Sequence, residues 1–238
     1  MSAQNYYTLA ALPALGDFGS EPPLTPAALQ EALAEHPAAR TLVETIFLSD
    51  DLLQHQAFLA GELRDVAPRV LDAAQVRGEQ PLPGWFSPAE EETRRPAPLD
   101  DVWEAYFAHA ARTAAASGSR FLAAWVRHEA TLRNALVSAR AKALGLEADR
   151  YQVAAHLADE EEDLGRLLSE WGAAANPLAG LQILDKARWE WLGEQDRWFS
   201  FSDDELAAYA AKLMILQRWQ RLAPGRPTMA GASAGADA

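Results

Sequence analysis

The sequence predicts an all-α protein, and three observations carry that expectation. Apolar residues recur at helical spacing over long stretches, capping residues and prolines stand where those stretches begin, and no convincing period-two strand follows the N-terminus. With 238 residues the chain can form one large domain or two small ones and bury a substantial core. Its 49% hydrophobic and 23% charged residues are those of a folded globular protein. The 21 Lys and Arg against 34 Asp and Glu leave a net charge of −13, which argues against a nucleic-acid partner and against adsorption to an anionic membrane. Cysteine is absent, so disulfides, thiolate metal sites and cysteine nucleophiles are excluded.

Tyr6 to Leu12 fits a short strand or the start of a helix, and Pro13, Gly16, Gly19, Pro22 and Pro23 then mark a loop. Thr25 before Pro26 reads as an N-cap with proline at the first helical position, opening a helix through Leu29 and Leu33 to His36. From Pro37 to Leu48 a second segment places Leu42, Ile46 and Phe47 near helical spacing. Ser49 reads as the cap of a third helix, with Asp50 and Asp51 at its dipole-positive end. Seven prolines and glycines between Gly78 and Pro98, with the acidic run Glu90 to Glu92 among them, make 77–101 the expected linker, which has room for a short helix from Ser87 to Arg94. The expected organisation is thus an N-terminal helical lobe over 1–76, that linker, and a C-terminal helical lobe over 102–222. The tail 223–238 has little to bury and is expected to be disordered.

The second half is more regular. Asp100 to Arg112 carries Val102, Tyr106 and Phe107, and the pattern stops at Ser117-Gly118-Ser119. Ser119 to Leu144 reads as one helix with Phe121, Trp125, Leu132, Leu136 and Ala139 on a stripe and Gly145 as its stop. At 1.5 Å per residue it would be about 39 Å long. Asn176-Pro177 opens a helix through Leu184 and Trp191. Ser202, three residues before Glu205, forms a capping box for a last helix through Tyr209, Leu213 and Leu216.

Candidate chemistry is sparse. Gly231-Ala-Ser233-Ala-Gly235 matches a nucleophile elbow in letters, but it lies in the tail without the strand and helix an elbow needs. His36, His55, His109, His128 and His156 form no H-E-x-x-H motif, and no phosphate-binding glycine loop is present. No catalytic residue, cofactor or metal is therefore expected. The alternative is a small helical metal-dependent enzyme using His156 with the acidic run Asp159 to Asp163, although such a run reads first as a solvated helix start, because charge runs usually face solvent.

Ionisable residues beside apolar stripes carry more information. Glu129 and Arg133 are four apart on one helix face and can pair, Arg140 continues that row with Lys142 nearby, and Asp185 and Arg188 flank Leu184 and Trp191. The set reads either as a salt-bridge network fixing helix register or as a surface that receives a partner. Trp85-Phe86, in a proline-rich loop, either packs on its own domain or docks a partner. The candidate partner-binding residues are therefore Trp85, Phe86, Glu129, Arg133, Arg140 and Lys142.

Three segments resemble a bacterial family of unknown function encoded among V-type ATPase subunits. They are Asn5-Tyr-Tyr-Thr-Leu-Ala-Ala-Leu-Pro13, the run from Phe121 to Leu136 continuing to Ala141-Lys-Ala-Leu-Gly145, and Leu184-Asp-Lys-Ala-Arg-Trp-Glu-Trp191 with Leu206 to Trp219. That family is in turn similar to the C-type adaptor of V-type ATPases, the non-catalytic helical part between the rotating shaft and the membrane ring. Leu132-Arg-Asn-Ala-Leu-Val-Ser-Ala-Arg-Ala-Lys-Ala-Leu-Gly145 and Tyr209-Ala-Ala-Lys212 look like two of its helices. The resemblance implies a two-lobe, shortened version of that adaptor with one of its three lobes reduced or missing. It implies a non-catalytic coupling protein or assembly factor whose partners are the central shaft and the membrane rotor ring. No basic residue precedes Arg40, so the basic region of a signal peptide is missing, and no apolar stretch approaches the ~20 residues of a membrane span. The expected location is cytoplasmic, peripheral on a membrane complex and without direct insertion.

Overall fold

The computed structural model describes residues 3–86, 97–159, 161–195 and 200–222. Among them are nine α-helices and no strand, so the fold is all-α. The expected helix over Ser87 to Arg94, the tail beyond Leu222 and the Ser233 motif lie outside the described residues.

The N-terminal segment takes the helical alternative as α1 (Ala3–Ala11). It is tied down at its far end, where the Tyr209 hydroxyl donates to the Pro13 carbonyl at 2.8 Å. In α2 (Pro26–Ala32) the Thr25 hydroxyl accepts the Ala28 N–H, as the cap-proline pair predicts. The helix stops short of His36, since the residue before Pro37 is sterically kept from the α region.

The largest departure is α3 (Pro37–Leu59), one helix where two were expected. Ser49 does not cap anything: its hydroxyl donates back to the Ile46 carbonyl at 2.7 Å, and Asp50 and Asp51 are buried in mid-helix. The short α4 (Ala73–Val76) carries a capping box between Asp72 and Gln75.

After a tight turn at Gly84–Phe86 come α5 (Pro98–Ser117) and α6 (Arg120–Leu144), the latter unbroken and capped by Ser119 as expected. Both end on a left-handed glycine, Gly118 at φ 67° and Gly145 at φ 68°, a conformation that costs glycine nothing. In each the next N–H reaches back five residues, Ser119 to the Ala114 carbonyl and Leu146 to that of Ala141, closing a Schellman motif. The chain finishes with α7 (Gly165–Gly172), α8 (Pro177–Glu194), capped by Asn176, and α9 (Asp203–Leu222). At the head of α9 the Glu205 carboxylate accepts the Phe201 N–H at 2.8 Å, one residue earlier than the capping box predicts.

The buried side chains form one continuous core. Leu42, Ile46 and Phe47 of α3 pack with Tyr106 and Phe107 of α5, Leu122 and Trp125 of α6, and Leu206, Leu213 and Ile215 of α9. Burying each of the two phenylalanines is worth about 2 kcal/mol. Because α3 lies along α9 and α5, the segment 77–101 does not divide the molecule into two separately cored lobes. No helix among the described residues is long and apolar enough to cross a membrane.

Candidate functional site

From the surface at Arg221 into this core runs a chain of charges. Arg221, in the last turn of α9, donates through Nη2 to both oxygens of Asp50 on α3, at 2.9 and 2.7 Å. Arg218 reaches Asp50 with Nε at 3.4 Å and both oxygens of Asp185 on α8 with Nη1, at 2.9 and 3.1 Å. Asp185 also accepts from Arg188 at 3.0 Å and from the Trp219 indole at 3.1 Å. Arg188 then forks onto Glu129 of α6 at 2.7 and 3.0 Å, the bidentate geometry that suits a guanidinium.

Three arginines thus meet three carboxylates across four helices, and the chain carries no net charge. Asp185 is 0% exposed and Asp50 3%. Burial opposes the ionisation of Asp50, but Arg221 and Arg218 outweigh it and hold the carboxyl below its ordinary range. Glu129 is likewise desolvated and likewise held down, by Arg188. Arg188 is raised in return, with Glu129 and Asp185 overcoming its own desolvation.

Asp51, next to Asp50, is paired differently. Its oxygens accept the backbone N–H groups of Arg69, Val70 and Leu71 at 2.8, 2.7 and 2.9 Å, strapping that loop to α3. Burial pushes its carboxyl up to about 6 against the pull of those three donors.

The six residues expected to bind a partner separate in the structure. Glu129 is bound by Arg188, and Arg133 faces Asp100 at 3.4 Å with its guanidinium 4.5 Å over the Trp103 ring, so the expected Glu129–Arg133 pair is replaced by two other partnerships. Phe86 is buried at 3% exposure, packing its loop onto α5. Trp85 stacks on Phe86 at 3.8 Å and on His109 at 4.5 Å, keeping 40% of its surface exposed. Arg140 and Lys142 are exposed near the end of α6, where Arg140 lies 5.3 Å over the Trp171 ring.

The acidic run beyond His156 disperses. Glu162 binds His128 Nδ1 at 2.7 Å, Asp159 sits 3.9 Å from Arg127 and accepts the Glu161 N–H, and Asp163 accepts the Gly165 N–H. Among the described residues no three His, Asp or Glu side chains converge where a metal ion could bind. The groove of about 410 Å³ beside Gln30, Arg40 and Arg69 is polar, and the Arg40–Glu44 salt bridge lines it.

Sequence reasoning missed Asp50, Arg218 and Arg221. The available signal is spacing: Asp50 stands four residues after Ile46 and Gln54 four after Asp50, so a polar stripe continues an apolar one. Fold and interior together define an all-α protein with a neutral chain of three arginines and three carboxylates across four of its helices. No family model, curated protein or solved structure matches the chain.

Proposed function

We propose that this protein is a non-catalytic component or assembly factor of a bacterial V-type ATPase, seated peripherally between the central shaft and the membrane rotor ring. The observation that supports the reading is the neutral ion-pair chain across α3, α6, α8 and α9. Buried ion pairs add little net stability, but sliding one helix against another would strand charges in the interior at a cost of several kcal/mol. A part that carries torque between a shaft and a ring needs helices that keep their register. The resemblance of the opening, central and closing segments to the family encoded among V-type ATPase subunits supplies the partner.

An affinity-tagged chain expressed from its own locus tests this. The shaft and ring proteins should co-purify with it from detergent-solubilised membranes. Stoichiometric presence in the ATP-hydrolysing complex would mark a permanent component, and presence only in incomplete complexes an assembly factor. Recovery of neither shaft nor ring proteins overturns the proposal.

A further inference from the structure

Arg69 enters the interior with fewer partners than the other arginines found there. Desolvation lowers Arg188 and Arg218, but each meets two carboxylates that overcome it and raise the guanidinium. Arg133, whose Nε meets no acceptor, still has Asp100 at 3.4 Å and the Trp103 ring under its guanidinium. The Nε of Arg69 is buried without an acceptor among the described residues, Nη1 reaches only the Pro68 carbonyl at 3.4 Å, and the side chain forms no salt bridge with a described residue. Burial and Arg221 hold it below its ordinary value against the pull of Asp50 and Asp51. The exposed Arg64, Arg112 and Arg120 also lack salt bridges, but water serves their N–H groups, whereas a buried N–H left unmatched calls for a partner.

The loop that carries Arg69 is fixed by side chains from two helices. Gln54 of α3, 4% exposed, accepts the Ala67 N–H at 2.7 Å and donates to its carbonyl at 3.3 Å. Gln30 of α2 donates to the Arg69 carbonyl at 3.2 Å. Asp51 gives both its oxygens to backbone N–H groups of this loop rather than to the guanidinium. A side chain whose backbone is held in this way is preorganised, because little loop entropy is lost when a ligand binds.

Arg69 lines the groove of about 410 Å³, a size within the range of small-ligand sites. The other lining residues define what fits. Glu44 is committed to Arg40 at 2.7 Å, so that pair adds no net charge. Glu31 also lines the groove and opposes a second negative charge on a ligand. Val70, 40% exposed, offers apolar contact in the same groove. From this we infer that the groove binds a small organic monocarboxylate, whose two oxygens take the fork of Arg69 and whose apolar body lies on Val70. A guanidinium presents paired N–H donors that match a carboxylate. Neither the site nor its test depends on the ATPase reading.

Benzoate, its neutral counterpart benzamide and the dianion terephthalate are titrated at pH 7 against the full isotope-labelled chain, and the Arg69 Nε–H signal is followed by NMR. Benzoate should move that signal along a saturating curve and leave those of Arg64, Arg112 and Arg120 in place. Benzamide should move it roughly tenfold less at equal concentration, since it lacks the charge that strengthens the pair. Terephthalate should bind more weakly than benzoate, and Glu31→Gln should close that gap. Arg69→Lys keeps the charge but loses the fork, and should weaken benzoate binding about tenfold, read from the Val70 amide, with the thermal melt unchanged. An Arg69 signal that benzoate leaves unmoved overturns the proposal. So does one that drifts in step with the exposed arginines, which would show anion adsorption only, and so does an equal response to benzamide. Tighter binding of terephthalate than of benzoate overturns the assignment to a monocarboxylate. The titrations of the unsubstituted chain decide the outcome even if Arg69→Lys lowers the melt.

Discussion

The body of the molecule and the tip at the end of α6 are built on different principles. In α9 eleven residues are buried and in α3 twelve, and the one charged residue among those of α9, Arg218, is neutralised by the ion-pair chain. Helix α7 buries none, and after Asn134 the only buried residue of α6 is Ala141. The tip is held instead by a few separate hydrogen bonds and ring contacts, such as Gln152 to Ser138 at 3.0 Å and Arg140 over Trp171. The two halves of α6 therefore differ, one packed in the core and one largely exposed.

The sharpest way to break this contrast is to remove a charge from the middle of the chain. Asp185→Ala takes away the one carboxylate shared by Arg218, Arg188 and the Trp219 indole, and leaves two arginines short of a partner in the interior. The expected cost is about 3–5 kcal/mol in urea or thermal unfolding. A loss under ~1 kcal/mol would mean that the arginines find water or other partners, and the body would then be no more rigid than the tip.

The next effect is one of slope. Asp50 and Glu129 are held below their ordinary values, so the stability they contribute is present above the unfolded carboxylate range and is lost as pH falls. Asp51 has the opposite sign. Its folded value, about 6, is above the ordinary 3.8, so its contribution is full below the latter and is lost as pH rises toward 6. The difference corresponds to about 3 kcal/mol across that window. Asp51→Asn removes this falling component, and its stability should climb more steeply than wild type between pH 4 and pH 6.5, measured by urea midpoints. Parallel curves would show that the three backbone donors cancel the desolvation completely.

What is legible in the sequence follows the same division. Helix ends are local events, and Thr25-Pro26, Ser119, Asn176, Gly118 and Gly145 all end or begin helices as their types predict. Ser49 misleads because serine and aspartate favour caps only when their side chains must find local partners. Here the partners come from far away, Arg221 being 171 residues from Asp50. The same reason separates Glu129 from Arg133, whose four-residue spacing permits a pair but cannot compete with a bidentate arginine brought in from α8. Arg140 is legible as a charge continuing a helix row; that it stacks over Trp171, 31 residues on, needs the fold.

The smallest effect tests whether the tip opens on its own. Asn134, 6% exposed, donates to the Val153 carbonyl at 2.8 Å and accepts the Val153 N–H at 2.9 Å, clamping the segment after α6 back onto that helix. The neighbouring Ala154 is held at φ 45°, a left-handed conformation that costs an alanine about 1–2 kcal/mol, with its N–H given to Glu104 at 2.6 Å. A strained residue stays in place only while the contacts around it persist, so the clamp and the strain oppose each other locally. Asn134→Ala removes both bonds at a cost of about 1–3 kcal/mol. If the tip is a separate cooperative unit, amide exchange should quicken across residues 148–157 while the amides of α3 and α9 keep their wild-type rates. Equal acceleration in α3 and α9 would show that the loss is transmitted to the whole body, and the contrast between the buried and exposed halves of α6 would fail.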